Sequence, residues 1–231
     1  MVMAAGKGTR MMPLTANCPK PLLTVAGTSL IDHVLGLLRD AGIGRIVVNV
    51  HYLAEQIVAH LTVHARDFAV SISDEQELLR DTGGALVQAK DLITGDPFFC
   101  INADNWFVPS GENPLVTMAQ AWDSARMDVL LLLVPFAKAG NTQGTGDFDL
   151  DAAGRISRAG PKRQRPFVWT GAQLMAKSVV ADPPEAVFST NLFWDRAIAA
   201  GRCYGLVFDG AWFDVGYPAA IEATEAALAG G

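Results

Sequence analysis

The chain is poor in the features that mark several large protein classes. Only 18% of its residues are charged against 50% hydrophobic, which argues against disorder and for a packed core. Its three cysteines, Cys18, Cys100 and Cys203, are scattered and form no C-x-x-C pair. That argues against both a disulfide framework and a zinc site built on cysteine. The longest apolar runs, such as Val129 to Phe136, are too short to span a bilayer. The opening Met1-Val2-Met3-Ala4-Ala5-Gly6-Lys7-Gly8 lacks the basic-then-apolar layout of a signal peptide. The chain therefore reads as cytoplasmic, with no membrane partner. Basic residues are in deficit too: 18 Lys and Arg against 24 Asp and Glu leave a formal charge of −6. That balance disfavours a nucleic-acid partner, which calls for a basic face. A length of 231 residues accommodates one large domain or two small ones.

Against this acidic background the first 21 residues stand out. They hold Lys7, Arg10 and Lys20, and no acidic residue precedes Asp32. A short apolar run, Met1 to Ala5, ends in a turn at Gly6 and Gly8. Glycines let backbone N–H groups approach an anion, and cations neutralise it, so the segment suits a polyphosphate. Two other glycine loops fail on spacing. A dinucleotide fingerprint needs glycine where Met11 stands, and no P-loop string occurs. The bland alternative is an ordinary turn after a first strand.

Strand-like and helix-like segments alternate through the first half. Ser29 is placed to cap a helix reaching about Ala41, with Asp32 completing a capping box and Gly42 ending it. Strands are expected at Arg45–Val50, Phe68–Ser73, Pro97–Ile101 and Val129–Pro135. Helices are expected at Leu53–Leu61, Gly83–Lys90 and Asn113–Ser124. Gly, Pro and charged residues then punctuate Lys138 to Pro166, with short strands at Phe148–Leu150 and Arg155–Arg158. Val168–Ala176, Cys203–Val207 and Trp212–Val215 read as strands, and Ser189–Ala200 and Pro218–Ala229 as helices. This rhythm argues for a mostly parallel sheet wrapped by helices.

The order A-A-G-x-G-T-R-[MLF]-x-P-L-T, followed by P-K-P-L, resembles the signature of the sugar-1-phosphate nucleotidyltransferases. It stands here as Ala4-Ala5-Gly6-Lys7-Gly8-Thr9-Arg10-Met11-Met12-Pro13-Leu14-Thr15 and Pro19-Lys20-Pro21-Leu22. The resemblance implies an α/β, single-domain, Rossmann-like (GT-A-like) fold with a mixed, mostly parallel sheet flanked by helices. One domain, 1–231, would carry a nucleotide-binding half at about 1–135 and a sugar-binding half at about 136–231. Family members usually carry a few more residues before the glycine turn, so either the start codon is misassigned or the first strand is unusually short. The implied partners are an NTP and a sugar 1-phosphate, in a monomer or a homo-oligomer.

Nucleotidyl transfer brings two anions together, so alignment and charge neutralisation carry the catalysis. The resemblance places Arg10 on the β- and γ-phosphates and the leaving pyrophosphate, and Lys20 beside the α-phosphate and the attacking phosphate. Ala4, Ala5, Gly6, Lys7, Gly8 and Thr9 would bind nucleotide, with Lys7 either touching it or simply solvated. Mg²⁺, the implied cofactor, takes hard carboxylate oxygens, water and phosphate. Asp104 follows the apolar strand Phe99-Cys100-Ile101, where ligands gather in α/β folds. The family usually has glycine before this aspartate; here it is Ala103. Asp214, in Trp212-Phe213-Asp214-Val215-Gly216, resembles the second metal ligand in the family's W-x-D-[VI]-G string.

Asp81-Thr82-Gly83-Gly84-Ala85 resembles the family's base-recognition turn, with Glu77 or Asp81 as a nearby hydrogen-bonding group; a capped helix start is compatible with the same residues. Thr170-Gly171 matches the sugar-contacting turn, and Asn191 joins them as a sugar-binding candidate. Many hexose members carry an E-K-P string before that turn, whereas this chain shows Ala159-Gly160-Pro161-Lys162-Arg163-Gln164-Arg165. The five basic residues from Arg155 to Arg165 form either a solvated loop or a seat for an acidic sugar or its phosphate. Within the family, small size, the D-T-G-G string and the missing glutamate most resemble the N-acetylmuramate-1-phosphate uridylyltransferases of cell-wall recycling, whose sugar carries a carboxylate. GTP with mannose 1-phosphate, or UTP or dTTP with glucose 1-phosphate, are the alternatives, and a catalytically silent nucleotide-sugar sensor is the alternative of another class. His33, His51, His60 and His64 show no metal-ligand pattern, and Trp106 and Trp194 are the aromatics to watch for stacking on sugar.

Overall fold

The computed structural model describes residues 1–158, 164–181 and 185–230. Strands are numbered along the chain. The first seven are β1 (Val2–Met3), β2 (Thr24–Val25), β3 (Thr28–Ser29), β4 (Arg45–Val50), β5 (Ala69–Asp74), β6 (Phe98–Asn102) and β7 (Asn105–Pro109). The rest are β8 (Val129–Pro135), β9 (Ala139–Gly140), β10 (Asp149–Leu150), β11 (Ile156–Ser157), β12 (Phe167–Met175), β13 (Cys203–Val207) and β14 (Gly210–Asp214). The helices are α1 (Leu30–Asp40), α2 (Ala54–His64), α3 (Asp81–Ala89), α4 (Pro114–Ala121), α5 (Asn191–Ala199) and α6 (Pro218–Ala229).

Seven strands form the central sheet in the order β13-β8-β12-β6-β1-β4-β5. All neighbours run parallel except β12, which is antiparallel to both β6 and β8. The sheet is therefore mixed and mostly parallel, as expected. β12, from beyond residue 135, inserts between two strands that precede it. β1 is short but central: Val2 and Met3 pair with Val48 and Asn49 on one side and with Ile101 and Asn102 on the other.

The two faces are read directly from strand alternation. Val48, Ile101 and Leu132 pack with Ile31, Leu35 and Ile57 of the helices α1 and α2, and with Leu115 of α4. Their neighbours Val47, Cys100 and Leu131 point the other way, onto Leu86 of α3 and Phe193 and Trp194 of α5. Because both faces are covered, Val129 to Val134 is a continuous buried run rather than an alternating one. Fully burying each of those leucines contributes about 1.5–3 kcal/mol, before conformational entropy is set against it.

α1 begins as expected, with the Ser29 hydroxyl accepting the Asp32 N–H at 3.1 Å. The carboxylate of Asp32 instead turns to α2, where its Oδ1 lies 2.8 Å from His60 Nε2. α4 stops at Ala121 rather than Ser124, because Trp122 is extended and the Asp123 carboxylate accepts the Ala125 N–H at 3.0 Å. That local bond competes with the helix. The hairpin β2–β3 and the small sheet β7-β14-β9 were not anticipated. In the small sheet β14 lies antiparallel to β7 and sets Asp214 opposite Asn105. Among the described residues no helix is long and apolar enough to cross a membrane.

Candidate active site

The carboxyl ends of β1, β4, β5 and β6 open onto one side of the sheet, where parallel α/β folds collect ligands. The glycine turn follows β1. Gly8 has φ +63°, and a Cβ there would sit 2.9 Å from Thr15 Cγ2 and 3.1 Å from Lys20 Cβ. The Thr15 hydroxyl closes the turn by donating to Gly8 O at 2.8 Å. Gly6 differs: no atom lies within 4 Å of a Cβ built on it. Its backbone faces a cavity of about 430 Å³ lined also by Ala4, Ala5, Lys20 and Asp104, with Glu75, Asp81 and Thr82 on the far wall. Lys7, Thr9 and Arg10 are exposed.

A buried polar chain fixes this loop to the opposite wall. The Ala4 N–H donates to Asn49 Oδ1 at 2.7 Å, and Asn49 Nδ2 donates to Glu75 Oε1 at 2.8 Å. Glu75 Oε2 then accepts the Arg80 N–H at 3.0 Å. Asn49 and Glu75 are each 2% exposed, so the pair is satisfied internally rather than by solvent. Sequence reasoning missed both. The available signal was the single amide inside the apolar run Ile46-Val47-Val48-Asn49-Val50.

The charged cluster forms at the mouth of the same cavity. Lys20, nearly buried, places Nζ 2.7 Å from Asp104 Oδ2. Asn105 Nδ2 donates to Asp104 Oδ1 at 3.2 Å. The Val215 N–H reaches Asp104 O at 3.3 Å, so the β14 end bearing Asp214 is stitched to Asp104. Burial raises the Asp214 carboxyl above its ordinary range, and the charge of Asp104 raises it further, while Lys20 and Arg10 oppose the shift. A Cβ on Gly216 would lie 2.9 Å from Asp214 Oδ1 and 3.4 Å from Arg10 Nη1, which sets Arg10 beside Asp214. Arg10, Lys20, Asp104 and Asp214 are thus one group. Two carboxylates close enough to repel, one of them in the cavity wall, are a donor set that suits a hard divalent cation retaining water and phosphate ligands.

Asp81 and Thr82 divide this cavity from a second one of about 300 Å³, lined also by Asp147, Arg158, Trp169 and Trp194. Asp81 starts α3 with φ +58°, and its Oδ1 accepts the Thr82 N–H at 2.5 Å. Thr82 Oγ1 accepts the Thr190 N–H at 2.9 Å. Gly83 faces the protein instead of the cavity. Its N–H donates to Phe188 O at 2.8 Å, and a Cβ would fall 2.5 Å from the Phe188 ring. Glycine is needed there for close packing of α3 on the segment before α5.

The candidates on the sugar side separate. Thr170 is fully buried, its hydroxyl donating to Leu132 O at 3.0 Å and its carbonyl accepting Trp212 Nε1 at 3.0 Å. Gly171, with φ +85°, packs against Asn105 where the β12 register shifts. Asn191 does line the second cavity, and its Oδ1 accepts Arg158 Nη2 at 2.6 Å. Arg158 also pairs with Asp195 at 3.0 Å and lies over the Phe148 ring. Arg165 lines the cavity and donates to Asp147 O at 2.7 Å, whereas positions 159–163 of the basic loop lie outside the described residues. Trp194 lines the cavity with Nε1 donating to Gln173 at 2.7 Å. Trp106 is a core residue stacked on His33 at 3.9 Å.

A glycine turn at a strand end, near paired carboxylates and two cations, is an arrangement suited to nucleotidyl transfer. The chain belongs to the nucleotidyl transferase family, whose model matches residues 1–230. It is a sugar-1-phosphate nucleotidyltransferase, similar along its length to the N-acetylmuramate alpha-1-phosphate uridylyltransferase of Caulobacter vibrioides. Those two are 39% identical over 232 residues, covering 99% of this chain and 96% of that protein. The enzyme of the same name from Neisseria meningitidis serogroup B is 42% identical over 105 residues, 45% of this chain and 46% of that one. Among solved structures, HddC from Yersinia pseudotuberculosis superposes with a TM-score of 0.78 at 21% identity, covering 98% of this chain and 97% of that one. The last comparison bears on the fold alone.

Proposed function

We propose that the chain transfers the uridylyl group of UTP to N-acetylmuramate 1-phosphate, giving UDP-N-acetylmuramate and pyrophosphate, with Mg²⁺ held by Asp104 and Asp214. The observation that carries this reading is the meeting of the Gly6 turn, Lys20 and Asp104 in one cavity, in a chain similar end to end to a uridylyltransferase for that sugar. A phosphate oxygen of the sugar attacks the α-phosphorus, and the bond from that phosphorus to the α,β-bridging oxygen breaks. When bound, the metal supplies charge that offsets the phosphate oxygens. Backbone N–H groups around Gly6 cradle the triphosphate. Arg10, beside Asp214, neutralises the charge growing on the departing pyrophosphate. Lys20, held by Asp104 at 2.7 Å, fixes the α-phosphate against the incoming phosphate. Asp81 and Thr82 border the base, and Gly171 acts from behind the wall, packing against Asn105.

The second cavity is the proposed seat of the sugar. Trp169 and Trp194 offer it an apolar wall, and Arg158 and Arg165 bring cations toward its lactyl carboxylate. Such chemistry belongs in the cytoplasm, where UTP is made and cell-wall sugars are recycled. The test is pyrophosphate release over a grid of four NTPs and several sugar 1-phosphates with Mg²⁺. A dominant signal for UTP with N-acetylmuramate 1-phosphate supports the proposal. A dominant signal for GTP with mannose 1-phosphate keeps the chemistry and overturns the substrate. Binding without turnover across the grid points to a sensor.

A further inference from the structure

Among the described residues, one group of potential metal-ligating side chains lies outside the site described above. His60 and His64 stand four residues apart on α2, and their rings stack at 4.1 Å with planes 4° apart. Both turn toward Asp32 on α1. His60 Nε2 is 2.8 Å from Asp32 Oδ1, and His64 Nδ1 is 3.6 Å from Asp32 Oδ2. One ligand atom from each of the three residues lies within 4.8 Å of the others. The separation of four along a helix puts two imidazoles on one face, as in helical zinc-binding pairs. The third donor comes from another helix, which is why spacing in the sequence does not reveal it.

We infer that Asp32, His60 and His64 form a second cation site, selective for a zinc-class transition ion rather than for Mg²⁺. Two neutral imidazoles and one carboxylate are the donors that borderline-soft ions prefer, whereas Mg²⁺ prefers oxygen. Tetrahedral zinc, with bonds of about 2.0–2.1 Å, places its donor atoms about 3.3–3.5 Å apart, between the two N···O spacings found here, and the stacked imidazoles would turn out of parallel to bring their in-plane lone pairs onto one ion. The Asp32 and His60 side chains are 24% and 17% exposed and His64 is 49% exposed, so an ion reaches the cluster from solvent and keeps an open position for water. Arg39, on the same helix as Asp32, is engaged in a two-pronged pair with Asp67 and does not occupy the cluster. A bound ion would join α1 to α2 on the outer layer of the fold, independently of Asp104 and Asp214.

The test is titration of the full chain with Co²⁺ in excess Mg²⁺, read by calorimetry and by the visible ligand-field bands of nitrogen-bound cobalt. Wild type is expected to take one ion with those bands and to gain thermal stability from it. His64→Ala, at a half-exposed position, and His60→Gln should each weaken binding by about tenfold or more and lose the bands. His64→Ala should leave Mg²⁺-supported turnover unchanged. Asp104→Asn should keep the cobalt bands, which separates this site from the catalytic carboxylates. Equal affinity in the two histidine variants and wild type, loss of the bands in Asp104→Asn, or no cobalt uptake by wild type would each overturn the inference.

Discussion

Gly171 shows how a backbone conformation reaches the carboxylate of Asp104. Its φ of +85° is one that side chains rarely adopt, and a Cβ there would lie 2.1 Å from Asn105 Nδ2 and 3.2 Å from Asn102 Cβ. Gly171→Ala therefore carries two costs: about 1–2 kcal/mol for left-handed backbone and about 1–3 kcal/mol for forcing an atom into packed space. Gly42 provides the control. It has φ +73°, yet nothing lies within 4 Å of its built Cβ, so Gly42→Ala carries only the first cost. Equilibrium urea unfolding, followed by tryptophan fluorescence, should place Gly171→Ala about 1–3 kcal/mol below Gly42→Ala. Turnover should separate them as well, because the displaced Asn105 amide is the donor to Asp104 Oδ1 at 3.2 Å. If the two variants agree within about 0.5 kcal/mol, the steric reasoning is refuted.

Three further outcomes are expected. Burial lowers the His33 imidazole from its ordinary value to about 4, while its Nε2 accepts the Phe107 N–H at 2.9 Å. The unfolded chain then binds the extra proton between about pH 6.5 and 4, so stability is full above that range and falls by up to about 3 kcal/mol through it; a pH series of unfolding midpoints checks this, and His33→Gln should flatten that part of the curve. Asp214 has the opposite sense: its raised pKa means the ionised form weighs on the fold, so stability falls as pH rises from the ordinary carboxyl value through the shifted one. Asp214→Asn should thus melt higher than wild type at neutral pH while losing turnover, and a lower melting temperature would contradict the assigned repulsion. Burial pushes the Cys203 thiol up to about 12 and raises those of Cys100 and Cys18 too, but only Cys18 is reachable, being half-buried where the others are buried; a thiol reagent at mildly alkaline pH should modify Cys18 alone until the chain is unfolded.

What was legible in the sequence follows a physical division. The glycine turn, Arg10 and Lys20 lie within one continuous segment, so their order alone marks it as a candidate phosphate site. Asp104 was visible as a candidate because the apolar strand β6 ends just before it, and a mostly parallel sheet was visible because strands such as β4 and β8 are runs of buried residues. What was missed arises between segments. Asn49 and Glu75 lie 26 residues apart and meet only because β4 and β5 pair in parallel. Asp32 fits an N-cap pattern locally, but its carboxylate finds His60 across a helix interface 28 residues away. Thr170 matches a sugar-turn pattern, yet the register shift in β12 sends its hydroxyl into the sheet. Gly83 belongs to a string read as facing the base, and its amide is taken by Phe188 O. In each case the residue type was informative and its direction was set by a partner elsewhere in the chain.

The proposed role of Asp104, with Asp214, is to carry the metal-dependent transfer of a uridylyl group to an acidic sugar phosphate. It is tested most directly by measuring pyrophosphate release from UTP and N-acetylmuramate 1-phosphate, with Mg²⁺ and with a chelator, for wild type and Asp104→Asn. Turnover is expected only for wild type with Mg²⁺, with the variant folded and inactive. Near-normal turnover by folded Asp104→Asn, or undiminished wild-type turnover in chelator, would contradict it.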